Sequence, residues 1–180
     1  LGVMLFFCKH VVWSLLLSGV FGAYSSIAEQ VVVGCLPIRF ALAGLYKRRH
    51  IASPKENLTR ISRFGSKHVG SPEERTLKTK GAQTWGMLLS LLDFLEGRAN
   101  EVEDGAKLLQ AGRALARLVT HWDNAPWAMP TATQQACVDA WVEFLVLTEG
   151  YEDMKTPKRH LMTHLVCSAR TLGHPALYSN

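Results

Sequence analysis

Three side chains near the end of the chain have types and spacing that could bind a metal ion. His160, His164 and Cys167 fall at positions i, i+4 and i+7, so a helix would place them near one line on its surface. Imidazole and thiolate are ligands that zinc and copper accept. A closed zinc site usually needs a fourth ligand, which only His121 or an acidic residue elsewhere could supply. We therefore keep these three as metal candidates but predict no stoichiometric metal and no cofactor.

The sequence lacks the residue patterns of common enzyme classes. His160 is followed by Leu161, whereas the metalloprotease signature H-E-x-x-H has at that point the Glu that acts as general base. No G-x-S-x-G nucleophile turn and no dinucleotide-binding glycine pattern is present. The carboxylates of Glu101, Glu103 and Asp104 stand at a predicted helix start, where the helix dipole and solvation explain them. We nominate no catalytic residue and predict that the protein is not an enzyme.

The elements that would position these side chains are helices. Residues 81–180 contain apolar residues at helical spacing, and no segment with the two-residue period of a strand interrupts them. This pattern predicts an all-α fold with a compact bundle of about four main helices, the first being the most buried. The predicted helices cover about 79–97, 102–121, 131–150 and 157–172. The predicted core consists of Trp85, Leu88, Leu92, Leu115, Trp141, Leu145 and Leu165.

Two of these helices have start signals. Thr131 followed by Gln134 has the spacing of a capping box. Thr156 before Pro157 predicts a capping hydroxyl followed by proline at the first helical position.

Residues 47–80 carry most of the positive charge. They hold ten Lys and Arg against three Glu, a net charge of +7, whereas the whole chain has +5. Three turn sequences interrupt them: Ser53-Pro54, Gly65-Ser66 and Gly70-Ser71-Pro72. We therefore predict a basic linker with little fixed structure, which a protease would cut first. A solvated basic linker is the interpretation that we favour, and contact with nucleic acid or anionic lipid is the alternative. Nucleic-acid binding lacks aromatic residues between the basic ones, since only Phe64 could stack on a base.

Residues 1–46 are almost uncharged, and we predict an apolar helical segment there. Val11 to Ala28 is a run of eighteen residues without a charge, which as a helix would extend ~27 Å, close to the hydrocarbon thickness of a bilayer. The run from Val31 to Tyr46 is predicted to be a poor second span, because it contains Pro37 and Arg39.

Three interpretations of this apolar segment remain open. It is a membrane-inserted helix, a buried element of a soluble fold, or a secretory signal that begins at Met4 and ends with the small residues Ser26-Ile27-Ala28. The signal interpretation would make Asn57, in Asn57-Leu58-Thr59, a glycosylation acceptor.

One short segment resembles a known family. The run Pro157-Lys158-Arg159-His160, followed by His164 and by Gly173 a helix length later, resembles the downstream helical region of proteins encoded by eukaryotic DNA transposons. Those proteins are intracellular and nuclear, and their catalytic carboxylates lie elsewhere in a longer chain. The resemblance therefore implies no activity for this part, and the apolar residues 1–46 depart from that family's pattern.

Two functional hypotheses follow. The first is a non-enzymatic, all-α intracellular interaction domain with an unidentified protein partner, part of a longer or mobile-element-derived protein, since the chain opens at Leu1 without Met. The second is a membrane-anchored protein, with residues 11–28 inserted, residues 47–80 on anionic headgroups and a cytoplasmic helical domain. The first hypothesis places residues 1–46 against the helices of 81–175, and the second predicts few such contacts.

Overall fold

The protein is all-helical in the part of the chain that the computed structural model describes, residues 2–22, 24–52 and 58–172. Its α-helices are α1 (Gly2–Leu17), α2 (Ile27–Ala52), α3 (Ser66–Val69), α4 (Gly81–Glu96), α5 (Gly105–Asp123), α6 (Thr131–Leu147) and α7 (Pro157–Leu172). Two short 3-10 turns, Ala99–Glu101 and Glu152–Met154, precede α5 and α7. The all-α prediction and the apolar N-terminal helix are confirmed. The described residues contain seven helices, however, and not one apolar segment followed by about four.

Helices α4 to α7 begin and end within a few residues of the predicted segments, and their caps explain where they start. The hydroxyl of Thr156 accepts a hydrogen bond from the backbone N–H of Arg159 at 3.4 Å, as the predicted cap requires. The capping box predicted at Thr131 is wrong. Pro130 precedes the helix as its N-cap residue, and the Gln134 side chain donates instead to the carbonyl of Met129 at 2.8 Å.

The chain divides into two compact units, residues 1–109 and residues 110 onward. In the first unit, α4 packs on both α1 and α2, which also pack on each other, and α3 contacts α1 and α2. In the second unit, α6 packs on α7. The predicted boundaries after residues 46 and 80 both lie inside the first unit. Helix α4 therefore belongs with the apolar N-terminal segment.

Helix α1 supplies much of the core of the first unit. Nine of its sixteen residues are buried: Val3, Met4, Phe7, Cys8, Val11, Val12, Trp13, Leu15 and Leu16. These positions lie on nearly every side of the helix, as expected for a helix that other elements surround. The helix predicted at about 79–97 was expected to be the most buried, but α1 has nine buried residues and α4, of the same length, has seven. The packing of α1 agrees with the interpretation of the apolar segment as a buried element.

A single membrane helix from residue 11 to residue 28, one of the three interpretations left open, does not form, because the chain turns in the middle of this run. Helix α1 ends at Leu17, and Gly19 and Gly22 adopt positive φ angles of 74° and 114°. Glycine adopts such φ angles without steric strain, and a residue with such an angle interrupts the regular backbone geometry of a helix. Helix α2 then starts with the hydroxyl of Ser26 accepting from the N–H of Glu29 at 3.2 Å. Within the described residues, the one helix long and apolar enough to cross a membrane is α2.

Residues 58–80 are packed, which corrects the prediction of a linker with little fixed structure. Four apolar side chains anchor them to the first unit: Ile61, Phe64, Val69 and Leu77 are all buried. The backbone N–H of Thr76 donates to Val69 at 2.8 Å, and the indole N–H of Trp13 donates to the carbonyl of Thr76 at 3.4 Å. These four apolar residues are too far apart in the sequence to form a helical or strand period, so the sequence pattern did not indicate that they are buried. Ser53, Pro54 and the proposed acceptor Asn57 lie outside the described residues.

Three of the seven predicted core residues are buried. Leu88, Leu115 and Trp141 are buried, whereas Trp85, Leu92, Leu145 and Leu165 are half-buried. Their neighbours take the central positions: Leu91 and Leu95 in α4, Phe144 in α6 and Val166 in α7. Adjacent residues differ by about 100° around a helix, so a small error in the predicted orientation exchanges a core residue for its neighbour.

Candidate interaction surface

Helix α2 has one buried side and one exposed apolar side. Its buried residues include Val31, Cys35, Ile38, Leu42 and Leu45, spaced as one helical stripe. Opposite them lie the exposed side chains that we name the α2 outer face: Val32, Leu36, Phe40, Ala43 and Lys47. Phe40 is 71 % exposed, and only 28 % of the most apolar stretch of α2 is buried. A surface helix normally has polar residues on this side, so the outer face has the composition of a contact surface.

Positive charge concentrates at the C-terminal end of this face. Arg39 and Lys47 make no ion pair with any residue that the structure describes. Arg48 points elsewhere and pairs with Asp93 of α4. The only carboxylate of α2, Glu29, lies at the other end of the helix, where it accepts hydrogen bonds from Ser25. The exposed apolar stripe therefore runs into a basic patch.

Positive charge is also distributed unevenly between the two units. Residues 1–109 contain fourteen Lys and Arg against nine Asp and Glu, a net charge of +5. Residues 110–180 contain six of each and are neutral. The whole net positive charge of the chain therefore belongs to the unit that carries the α2 outer face.

A groove of about 600 Å³ opens beside the basic end of α2. The described residues that line it, which we name the α2 groove, are Arg39, Phe40, Ala43, Tyr46, Lys47, His50, Arg60, Ile61 and Ser62. Those from α2 follow one another at steps of one or three, which places them within about 120° on one side of the helix. The other wall is the segment at residues 60–62. Four of these described side chains are basic, and none of those that the structure describes is a carboxylate.

Two hydrogen bonds hold the second wall in place. The backbone N–H of Ile61 donates to the phenolic oxygen of Tyr46 at 3.2 Å, and the side-chain amide of Gln83 donates to the carbonyl of Arg60 at 3.3 Å. Ile61 itself is buried. Burial raises the pKa of the Tyr46 phenol, although the Ile61 N–H and the charge of Arg60 act in the opposite direction. The phenol therefore stays protonated and the wall keeps its geometry at neutral pH.

Glycine at position 86 allows Tyr46 to pack closely against α4. A Cβ atom at Gly86 would lie 3.1 Å from the ring and 3.3 Å from the hydroxyl of Tyr46. A side chain there would thus displace the Tyr46 ring.

A smaller groove, of about 390 Å³, lies between α2 and α4 and includes Phe40, Arg48 and Asp93. The ion pair between Arg48 and Asp93 neutralises part of the charge in this smaller groove.

The three metal candidates are all exposed residues of α7, and two of them are in contact. The two imidazole rings meet edge to face, with the Nε2 atoms of His160 and His164 3.0 Å apart. One of these nitrogens must carry the hydrogen that joins them, and a protonated nitrogen cannot bind a metal. Cys167 is also exposed. Among the described residues, no three His, Cys, Asp or Glu side chains are placed to hold a metal ion.

Part of the run Pro157-Lys158-Arg159-His160 has a packing role. The guanidinium of Arg159 donates to the carbonyls of Leu145 at 3.0 Å and Thr148 at 3.3 Å, at the C-terminal end of α6. It thereby satisfies backbone acceptors that a helix end leaves unpaired. The indole N–H of Trp141 donates to Thr163, a second tie between α6 and α7 at 3.1 Å. Gly173, which completes the resemblance, lies outside the described residues.

The remaining reactive side chains are buried thiols. Burial raises the pKa of Cys35 and of Cys137 to about 11, and it raises that of Cys8 as well. At neutral pH these thiols are protonated, so they behave as small apolar core residues and not as nucleophiles or metal ligands.

The α2 outer face was missed in the sequence, although its signal is present. Val32, Leu36 and Phe40 recur at steps of four beside an equally apolar buried stripe. Pro37 and Arg39 suggested an interrupted run, but α2 continues through both.

Comparison of the chain with protein-family models, curated proteins and solved structures found no match.

Proposed function

We propose that this chain is a non-enzymatic helical interaction module that docks onto an anionic membrane surface through the α2 outer face. The observation that carries the proposal is an exposed apolar stripe, with Phe40 71 % exposed, that ends in a basic patch. Interfacial helices combine these two features, because the apolar side chains enter the headgroup region while Lys and Arg attract anionic lipid.

The packing of the inner face favours docking over crossing. The inner stripe of α2 is covered by α1 and α4, and Arg48 is paired with Asp93 of α4. A spanning α2 would have to exchange these contacts for lipid and break that ion pair. A helix that lies on the membrane keeps them and adds only the burial of its outer face.

The aliphatic side chains of the α2 outer face favour lipid over nucleic acid as the partner, and Phe64, the ring predicted to stack on a base, is not accessible, which leaves Phe40 as the exposed ring beside Arg39. Base stacking requires an accessible aromatic ring beside the basic residues. Phe64 is buried and stacks on His68, with ring centroids 5.5 Å apart. The exposed Val32 and Leu36 would also gain nothing from a phosphate backbone.

The expected affinity is modest. Burying an apolar side chain contributes roughly 1.5 to 3 kcal/mol, and each Lys or Arg near an anionic surface contributes about 1 kcal/mol. Side chains that enter only the headgroup region of the membrane gain only part of the free energy of full burial. Several such terms together give reversible, salt-sensitive binding.

Sedimentation with lipid vesicles tests the proposal. The full chain should pellet with vesicles that contain phosphatidylserine and stay in the supernatant with phosphatidylcholine alone, and high salt should release it. Phe40→Ser should reduce the bound fraction about tenfold, because it removes the largest exposed apolar group. Val146→Ser is the matched control, since Val146 is an apolar side chain of α6 that is 65 % exposed.

Two outcomes would contradict the proposal. The first is a protein that stays in the supernatant even with phosphatidylserine vesicles, and the second is an equal loss of binding in Phe40→Ser and Val146→Ser. Either result would show that the α2 outer face is not the lipid contact.

A further inference from the structure

The α2 groove combines positive charge with an apolar edge. Its four basic side chains come from α2 and from the opposite wall: Arg39, Lys47, His50 and Arg60. Three of them lie on one side of α2, with Lys47 about two turns after Arg39 and His50 about one turn after Lys47, and Arg60 lines the opposite wall. No described residue that lines the groove carries a negative charge. Such a cluster favours a ligand with more than one negative charge.

The groove is also built before any ligand arrives. Arg60 is held at its backbone by Gln83, and its neighbour Ile61 is held by Tyr46. Preorganised walls lower the entropy that a ligand must overcome on binding. The volume of about 600 Å³ suits a ligand larger than a single phosphate ion, such as a phosphorylated sugar or cyclitol.

The position of Phe40 indicates what else the ligand carries. Phe40 lines the groove and is also part of the α2 outer face, so the groove opens directly onto the apolar stripe. A ligand in the groove therefore lies beside the surface that we assign to lipid. The complementary molecule has a polyanionic head and an apolar tail.

We propose that the α2 groove binds the phosphomonoester headgroup of a phosphorylated inositol lipid, an inference that rests on the proposed membrane docking. The guanidinium groups of Arg39 and Arg60 bind phosphate oxygens through paired N–H donors, and Lys47 adds a point charge. The apolar stripe meanwhile contacts the bilayer in which the lipid is anchored.

Charge-matched vesicles separate specific headgroup binding from general attraction. The protein should prefer vesicles containing phosphatidylinositol bisphosphate over phosphatidylserine vesicles of equal surface charge, by about tenfold. The double substitution Lys47→Gln with Arg60→Gln should abolish the preference. Arg63→Gln is the matched control, because Arg63 is an exposed basic residue of the same segment that does not line the groove.

The outcomes distinguish this inference from the docking proposal. Equal binding to the two charge-matched vesicles, or a preference that survives in the double variant, would overturn the headgroup site while leaving docking intact. Soluble inositol trisphosphate that binds as tightly as the lipid vesicles would show a site for a free anion and overturn the lipid assignment. No binding to any anionic vesicle would remove the docking proposal itself.

Discussion

Gly70 shows how a single residue fixes the packed segment that the sequence analysis treated as a linker. Its φ angle is 80°, a backbone conformation that residues other than glycine rarely adopt. A Cβ atom there would also collide with the carbonyl oxygen of Glu74. The turn brings Gly70 and Arg75 into a single antiparallel bridge, and Thr76 then hydrogen-bonds back to Val69. The order of residues 66–78 therefore depends on a glycine at this position.

We expect Gly70→Ala to lower the free energy of unfolding by about 1 to 3 kcal/mol, since it adds both backbone strain and a steric clash. Urea unfolding measures the loss, and trypsin should cut faster after Arg75 and Lys78. Gly65→Ala is the control, because a Cβ at Gly65 meets no atom within 4 Å. Equal stability of the two variants would show that the turn is not fixed by Gly70.

At the scale of elements, helix positions were predictable but helix partners were not. Periodicity and the cap at Thr156 placed α4 to α7, because both are local properties of the sequence. The neighbour of α4 is a non-local property, and an apolar face alone does not specify which helix covers it. Apolar composition likewise cannot separate α1, which is buried on several sides, from α2, which keeps an exposed face.

Two phenylalanines test this difference between α1 and α2. Phe7 of α1 is fully buried, whereas Phe40 of α2 is largely exposed. Phe7→Ala should cost about 3 to 5 kcal/mol of stability through the lost burial and the cavity, and Phe40→Ala should change stability by no more than about 0.5 kcal/mol. Urea unfolding of both variants checks the pair. A similar loss in the two variants would refute the assignment of an exposed outer face.

At the scale of the whole molecule, the basic charge was predicted in the correct region but on a linker with little fixed structure. Lipid or nucleic-acid contact through residues 47–80 stays a prediction. The groove does use Lys47, His50 and Arg60 from this range, but on a folded unit and together with Arg39 and Phe40. Residues so far apart in sequence form one site only after α2 and the segment around Ile61 have packed. The amino-acid composition shows that this region is basic, but only the folded structure shows which basic side chains lie together.

The measurement that most directly tests lipid docking through the α2 outer face is depth-dependent fluorescence quenching. A bimane label is attached at Leu36→Cys, at Phe40→Cys or, as control, at Val146→Cys, each in a Cys167→Ser background because Cys167 is the exposed native thiol. With anionic vesicles carrying nitroxide lipids, we predict that labels at 36 and 40 are quenched mainly by nitroxides near the headgroups and that the label at 146 is not quenched. Absence of quenching at 36 and 40, or strongest quenching there by nitroxides at the bilayer centre, would contradict surface docking.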